Sequence, residues 1–216
     1  MLHEFIVACK ENDLNKIQQM IHMVDINKES LSLACIYGHI DVVKYLVQNT
    51  DIDIHANNAE GFRWACLYGH IDVVKYLVEL NIDIHARDEE SFRGACKYGH
   101  IDVVKYLVSL GVDIHARYEE GFRWACNYGR IDVVLHLIQN TDIDIHELKK
   151  GFILACNNEQ IDVVRYLVNF MQCVKYRKLN KISQFMPGTY TNYQWPNTYL
   201  INVGKYMNHL NNNFIL

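Results

Sequence analysis

ACLYGHIDVVKYLV, residues 65–78, decides how this chain is read, because the sequence repeats it almost letter for letter as ACIYGHIDVVKYLV at 34–47 and ACKYGHIDVVKYLV at 95–108. Looser copies, ACNYGRIDVVLHLI and ACNNEQIDVVRYLV, run over 125–138 and 155–168, and a worn one, ACKENDLNKIQQMI, over 8–21. Cys35, Cys66, Cys96, Cys126 and Cys156 set the period at 30 to 31 residues. Units that recur at a fixed period bury their apolar faces against their neighbours, which predicts a stacked solenoid and not a domain around one enclosed pocket. Cys9 comes only 26 residues before Cys35, and Lys16, Gln18 and Gln19 replace apolar or aromatic residues of the later copies. A polar end unit over residues 1–28 is expected, since a terminal repeat has one face without a neighbour. Residues 29–173 then hold an array of about five further units.

Within a unit, apolar spacing reads as two helices. Phe62, Ala65 and Cys66 share one face of a first helix, Gly69 is placed to end it in the left-handed conformation, and Ile71, Val74, Leu77 and Val78 recur at helical spacing in a second. Asn81-Ile82-Asp83-Ile84-His85-Ala86 alternates polar and apolar with a period of two, which suits a short extended arm. The expected fold is all-α: stacked helical hairpins joined by short extended turns.

Tyr68-Gly69-His70-Ile71-Asp72-Val73-Val74-Lys75-Tyr76-Leu77-Val78 and Gly111-Val112-Asp113-Ile114-His115-Ala116 carry a family resemblance. They look like the G-H-x-x-V-V-x-x-L-L and G-A-D-V-N-A phrases of the ankyrin-repeat family, whose unit of about 33 residues is a β-turn and two helices. The resemblance covers roughly residues 5–172. The phrases I-D-V-V-K-Y-L-V and I-D-I-H-A further resemble the ankyrin-repeat sets of giant DNA viruses of the mimivirus type. Two departures stand out. Glu60-Gly61-Phe62-Arg63, Glu90-Ser91-Phe92-Arg93 and Glu120-Gly121-Phe122-Arg123 occupy the place of the family's T-P-L-H, and the unit is shorter by about three residues between arm and first helix. The finger-like turn, part of the family's binding surface, is therefore expected to be stubby.

Several function classes find little support. Half of the residues are apolar, yet no run of about 18 apolar residues exists and the amino terminus has no basic stretch before an apolar core, so a soluble intracellular protein is expected. Cys35 with His39, Cys66 with His70 and Cys96 with His100 lie four apart, a spacing compatible with zinc. Each unit supplies only two such ligands, and stacked helices lie about 8–10 Å apart. Neither a tetrahedral site nor a disulfide, limited to about 7 Å between Cα atoms, then fits. The cysteines read as small apolar residues, and an odd total of seven suits a reducing compartment. Asp and His repeat with the array and do not form one constellation, and no nucleophile elbow, phosphate loop or H-E-x-x-H is present, so the chain reads as a non-enzyme without cofactor or metal. His55, His85, His115 and His146 recur in the arm and admit two readings: partners of the turn by hydrogen bonding, or a strip whose protonation loosens the array in acid.

A protein partner is the expected ligand, and the positions where copies differ would choose it. The resemblance puts the binding face just before the Gly-His turn, at Ile36-Tyr37, Leu67-Tyr68, Lys97-Tyr98 and Asn127-Tyr128. Tyr and Trp give large contact area at low entropic cost. The candidate binding residues are Tyr37, Trp64, Leu67, Tyr68, Lys97, Tyr98, Trp124, Asn127 and Tyr128, with packing between units the alternative for the two tryptophans. Arg63, Arg93 and Arg123 are expected to pair with Glu60, Glu90 and Glu120 three residues back on their own helices, or else to form a cationic stripe. Residues 174–216 contain no Asp or Glu, carry five Lys or Arg, and are rich in Asn and aromatics. They read as a tail, helical to about Met186, irregular from Gly188 to Pro196 and weakly helical from Tyr199 to Leu210. Such a tail could cap the array or dock a second partner. Charge this sparse argues against nucleic acid. A structural, self-associating repeat protein is the alternative from another class.

Overall fold

The computed structural model describes residues 1–23 and 28–180, with only the backbone for 28, 58 and 172–180. Among the described residues twelve helices follow one another as six hairpins: α1 (Leu2–Glu11) with α2 (Leu14–Met20), α3 (Lys28–Tyr37) with α4 (Ile40–Asn49), α5 (Ala56–Tyr68) with α6 (Ile71–Glu79), α7 (Ala86–Tyr98) with α8 (Ile101–Ser109), α9 (Ala116–Asn127) with α10 (Ile131–Asn140), and α11 (Ile145–Asn157) with α12 (Ile161–Asn180). No strand occurs among the described residues. The chain divides into two units, Met1–Cys173 and Val174–Leu216; in the second, what is described is the end of α12. The expected helix from Val174 is present as far as Asn180, and its remainder to Met186 and the readings for residues 188–196 and 199–210 lie outside the described residues.

Each hairpin closes for the reason its sequence suggests. Gly69 ends α5 at φ +79°, a conformation that costs an L side chain roughly 1–2 kcal/mol, and its N–H bonds back to the last turn of the helix. The returning helix buries Val73, Val74 and Leu77, and its counterparts bury Val42, Val43 and Leu46, Val103, Val104 and Leu107, and Val133, Val134 and Leu137. First helices stack on first helices, α1 on α3, α3 on α5 and so on to α11. Along that stack run two buried columns, Phe62–Phe92–Phe122–Phe152 and Cys35–Cys66–Cys96–Cys126. Each buried Phe contributes about 1.5–3 kcal/mol by leaving water. The helices come close enough that a Cβ at Gly121 would stand 3.0 Å from Phe92 Cε1, and one at Gly151 would stand 2.7 Å from Phe122 Cε1 and 2.8 Å from Cys126 Sγ. Gly121 and Gly151 therefore hold the same register against the preceding unit.

The arms hold a feature that the alternating pattern does not suggest. Ile82 and Ala86 turn inward and Asp83 and His85 outward, as alternation requires. Then Arg87, Asp88 and Glu89 take φ of 56°, 54° and 62°, a left-handed turn of three ordinary residues before the right-handed helix starts at Glu90. Arg117, Tyr118 and Glu119 do the same at 53°, 60° and 50°, and Asn57 and Ala59 also have positive φ. In the last hairpin Asp144 to Phe152 is one residue shorter than Asp113 to Phe122, and α11 runs unbroken from Ile145. The left-handed turn takes up the extra residue.

Candidate protein-binding face

The C-terminal ends of four first helices, α3, α5, α7 and α9, each present one tyrosine to solvent. Tyr37, Tyr68, Tyr98 and Tyr128 are 42%, 49%, 45% and 43% exposed, although their neighbours on the helix, such as Cys66 and Cys96, are fully buried. Three of the rings lie nearly parallel to the imidazole two residues on: Tyr37 to His39, Tyr68 to His70 and Tyr98 to His100, with centroids 6.0–6.5 Å apart and planes within 22°. Beside them Leu67, Lys97, Asn127, Trp64 and Trp124 are half-buried.

The imidazoles are themselves fixed by the preceding unit. Nε2 of His39, His70 and His100 donates to the carbonyls of Lys10, Ile36 and Leu67 at 2.8, 2.7 and 2.9 Å. Arg130 takes over in the fifth hairpin, its Nε donating to Lys97 O at 3.0 Å. These carbonyls belong to the last turn of a helix, where no intrahelical donor remains, so each clasp satisfies a group that the helix leaves open. The turn glycine makes room for it: a Cβ at Gly69 would lie 2.3 Å from His100 Nδ1. Sequence reasoning weighed these histidines as metal ligands and missed the clasp, whose signal was the exchange of His for another donor, Arg, in Tyr128-Gly129-Arg130.

With Nε2–H turned to a carbonyl, each of these imidazoles keeps only Nδ1 as a potential ligand atom. Burial pushes the Cys35 thiol up to about 12 and those of Cys66 and Cys96 higher still, so these thiols are protonated near neutral pH. No cluster of three or more His, Cys, Asp or Glu with a metal-holding arrangement occurs among the described residues, and the six described cysteines are free.

The variable positions fit one another in pairs. Gly94 stands where Trp64 and Trp124 stand in adjacent units, and a Cβ there would meet Leu67 Cδ1 at 2.8 Å, so Leu67 fills the space a larger residue would take. Lys97 directs its Nζ among three rings, 5.2 Å from the centroid of Trp124, 5.3 Å from Tyr128 and 5.4 Å from Tyr98. Trp124 is thus both packed between units and open on one side. Cation–π contacts of this length hold a flexible lysine stem in place.

At the other end of the first helices the arginines depart from expectation. Arg63 Nε meets Glu90 at 3.3 Å and Arg93 Nη1 meets Glu120, each the glutamate of the following unit and not of its own helix. Arg93 is also drawn back by Asp88 O at 2.9 Å and Arg87 O at 3.2 Å, carbonyls of the left-handed turn. The arm histidines divide. His85 Nδ1 lies 2.6 Å from Glu89 Oε1 and His115 Nδ1 lies 2.9 Å from Glu119 Oε1, whereas Ala59 and Lys150 stand four residues after His55 and His146. Hydrogen bonding to those glutamates raises the pKa of His85 and His115. Acid therefore strengthens both contacts, the opposite sign to the reading in which protonation loosens the array.

An ankyrin-repeat model in three copies matches residues 5–88, and a single ankyrin-repeat model matches residues 95–119; together they span just over half of the 216 residues. The chain belongs to the ankyrin-repeat family. No curated protein matches it. Ankyrin repeats generally mediate protein–protein interaction and are typically non-catalytic. In this ankyrin array no helix among the described residues is long and apolar enough to cross a membrane.

Proposed function

We infer that this ankyrin array binds a protein partner through its tyrosine row, without chemistry or cofactor. One observation carries the reading: four tyrosines in successive units stand exposed on one face while clasped histidines fix three of them from beneath. A rigid aromatic platform loses little entropy on binding, which favours interface anchors of this kind. Leu67, Lys97 and Asn127 vary beside it and would select the partner. Trp64 and Trp124 add apolar area. We place this binding inside the cell, in the cytoplasm of a host if the likeness to giant-virus ankyrin sets reflects origin.

Affinity capture from a cell lysate tests it with three baits: the full chain, residues 1–173, and the full chain with Tyr68, Tyr98 and Tyr128 changed to Ala. A partner held by the first two and lost with the tyrosines supports the row as the site. Loss of even one anchor of about 2 kcal/mol weakens binding roughly thirtyfold. Capture that survives the substitutions but requires residues 174–216 would move the site to the tail.

A further inference from the structure

The arginine–glutamate contacts form a ladder that is broken at one rung. Arg63 reaches Glu90, which also takes Arg87 at 3.3 Å, and Arg93 reaches Glu120, which also takes Arg117 at 3.7 Å. The next arginine, Arg123, faces the last hairpin. There the register fixed by Gly151 against Phe122 and Cys126 puts Lys150, not a glutamate, in the place Glu120 occupies one unit earlier. Arg123 donates from Nη2 to Arg117 O at 3.0 Å, while its Nε is buried and meets no acceptor.

Nearby acids are committed elsewhere. Glu119 and Asp142 lie against His115 at 2.9 and 3.2 Å, Glu120 takes Arg93 and Arg117, and Glu147 takes Lys150 at 2.5 Å. Glu147 keeps a second oxygen, Oε2, buried without a donor, and it forms no ion pair with Arg123. Lys149 is exposed one residue before Lys150, and Tyr118, the tip of the left-handed turn beside Arg123, is 79% exposed where its counterpart in the preceding unit is Asp88. Buried Nε is closed to an outside group, and Nη2 is given to Arg117 O, so the atom left for a ligand is Nη1, the one that meets Glu120 in Arg93; a carboxylate is the group that fits it.

We propose that the broken rung between the fifth and sixth hairpins is a binding site for a carboxylate side chain of an acidic partner segment. That carboxylate stands in for the missing glutamate on Arg123, with Tyr118 as the apolar contact and Lys149 as the outer charge. The site lies at the opposite end of the first helices from the tyrosine row and does not depend on it.

The test uses the full chain and a fluorescein-labelled peptide of alternating Glu and Gly, with its Gln counterpart as control, read by anisotropy at low salt. The Glu peptide is expected to bind and the Gln peptide to bind at least about tenfold more weakly. Lys150→Glu supplies the rung internally. It should weaken the Glu peptide about tenfold or more; because it also takes the Lys150 partner from Glu147, its thermal unfolding is followed beside the peptide titration, and a cooperative transition separates loss of the site from loss of the fold. Arg123→Gln should weaken binding to a similar degree. Lys16→Glu makes the same charge change in the first hairpin and should leave affinity within about twofold. Equal losses in Lys150→Glu and Lys16→Glu, equal affinity for the two peptides, or no binding up to about 1 mM peptide would each overturn the proposal.

Discussion

The two ends of the first helices solve the same problem with different materials. At the Gly-His end a side-chain donor from one unit reaches a carbonyl left open by the unit before, and three histidines and then an arginine do it in turn. At the arm end the contact between units is ionic, Arg93 with Glu120, and it rests on three left-handed residues that regular propensity disfavours. The first device tolerates exchange of the donor because its acceptor is backbone. The second needs two particular side chains, and where one changes, at Lys150, an arginine is left without a carboxylate. Contacts to backbone repeat faithfully down an array, whereas contacts between side chains leave places where a unit can be different.

The largest expected effect breaks the first device. Gly69→Ala adds a Cβ at φ +79° and 2.3 Å from His100 Nδ1, so it combines backbone strain with expulsion of the clasp. Roughly 3–5 kcal/mol should be lost in urea unfolding. Gly111 is the matched control, at φ +85° with nothing within 4 Å of its Cβ position, and Gly111→Ala should cost only about 1 kcal/mol. If the two variants unfold at the same urea concentration, close approach of the next unit is not what the turn glycine provides. The second device comes next. Arg93 is 5% exposed and Glu120 19%. Arg93→Gln leaves Glu120 with only the more open Arg117 and should cost about 2–3 kcal/mol, while Arg123→Gln should cost less than about 1 kcal/mol, since no carboxylate is stranded. Equal losses at the two positions would mean that Arg123 has a partner in solution.

The clasp itself ranks third. His100→Ala removes the bond to Leu67 O and should cost about 1–2 kcal/mol, whereas His100→Arg should restore most of it, because Arg130 already spans the equivalent distance. Thermal unfolding of the two variants checks this, and an arginine variant as weak as the alanine one would show that the imidazole's fit, and not its donor, is what matters.

How much of this could be read from the chain follows from where each contact is written. The hairpins, their glycine stops and the exposed tyrosines are local: spacing within 14 residues decides which face is buried, and repetition confirms it. The partner of Arg93 is not local. Glu90 lies three residues before it and Glu120 lies 27 after, and the helical i,i+3 rule favours the first. What decides otherwise is the left-handed turn, whose Arg87 and Asp88 carbonyls take the guanidinium and leave Glu90 to Arg63. Ala-Arg-Asp-Glu-Glu contains no glycine and is made largely of good helix formers, so nothing in it announces a left-handed turn. The evidence sits in the comparison of lengths, since Asp144 to Phe152, one residue shorter, makes a plain helix.

Acid acts on the two ends with opposite sign, and this is the smallest effect. Hydrogen bonding to Glu89 raises the pKa of His85 and hydrogen bonding to Glu119 raises that of His115. Their contribution is complete below the unfolded value of about 6.5 and is lost as pH rises through the folded values. Burial lowers the pKa of His100, and Arg130 and His70 nearby push the same way, although its bond to Leu67 O opposes them. Its contribution is complete above about 6.5 and is lost as pH falls through the folded value. Measured as the change in melting temperature between about pH 7.5 and 5.5, His85→Gln should make the chain lose more in acid than the parent, and His100→Gln should make it lose less. Because the His85 ring is 57% exposed, salt should shrink the first difference and leave the second nearly unchanged. If both substitutions shift the acid response in the same direction, the division between an ionic arm end and a clasp of neutral imidazoles does not hold.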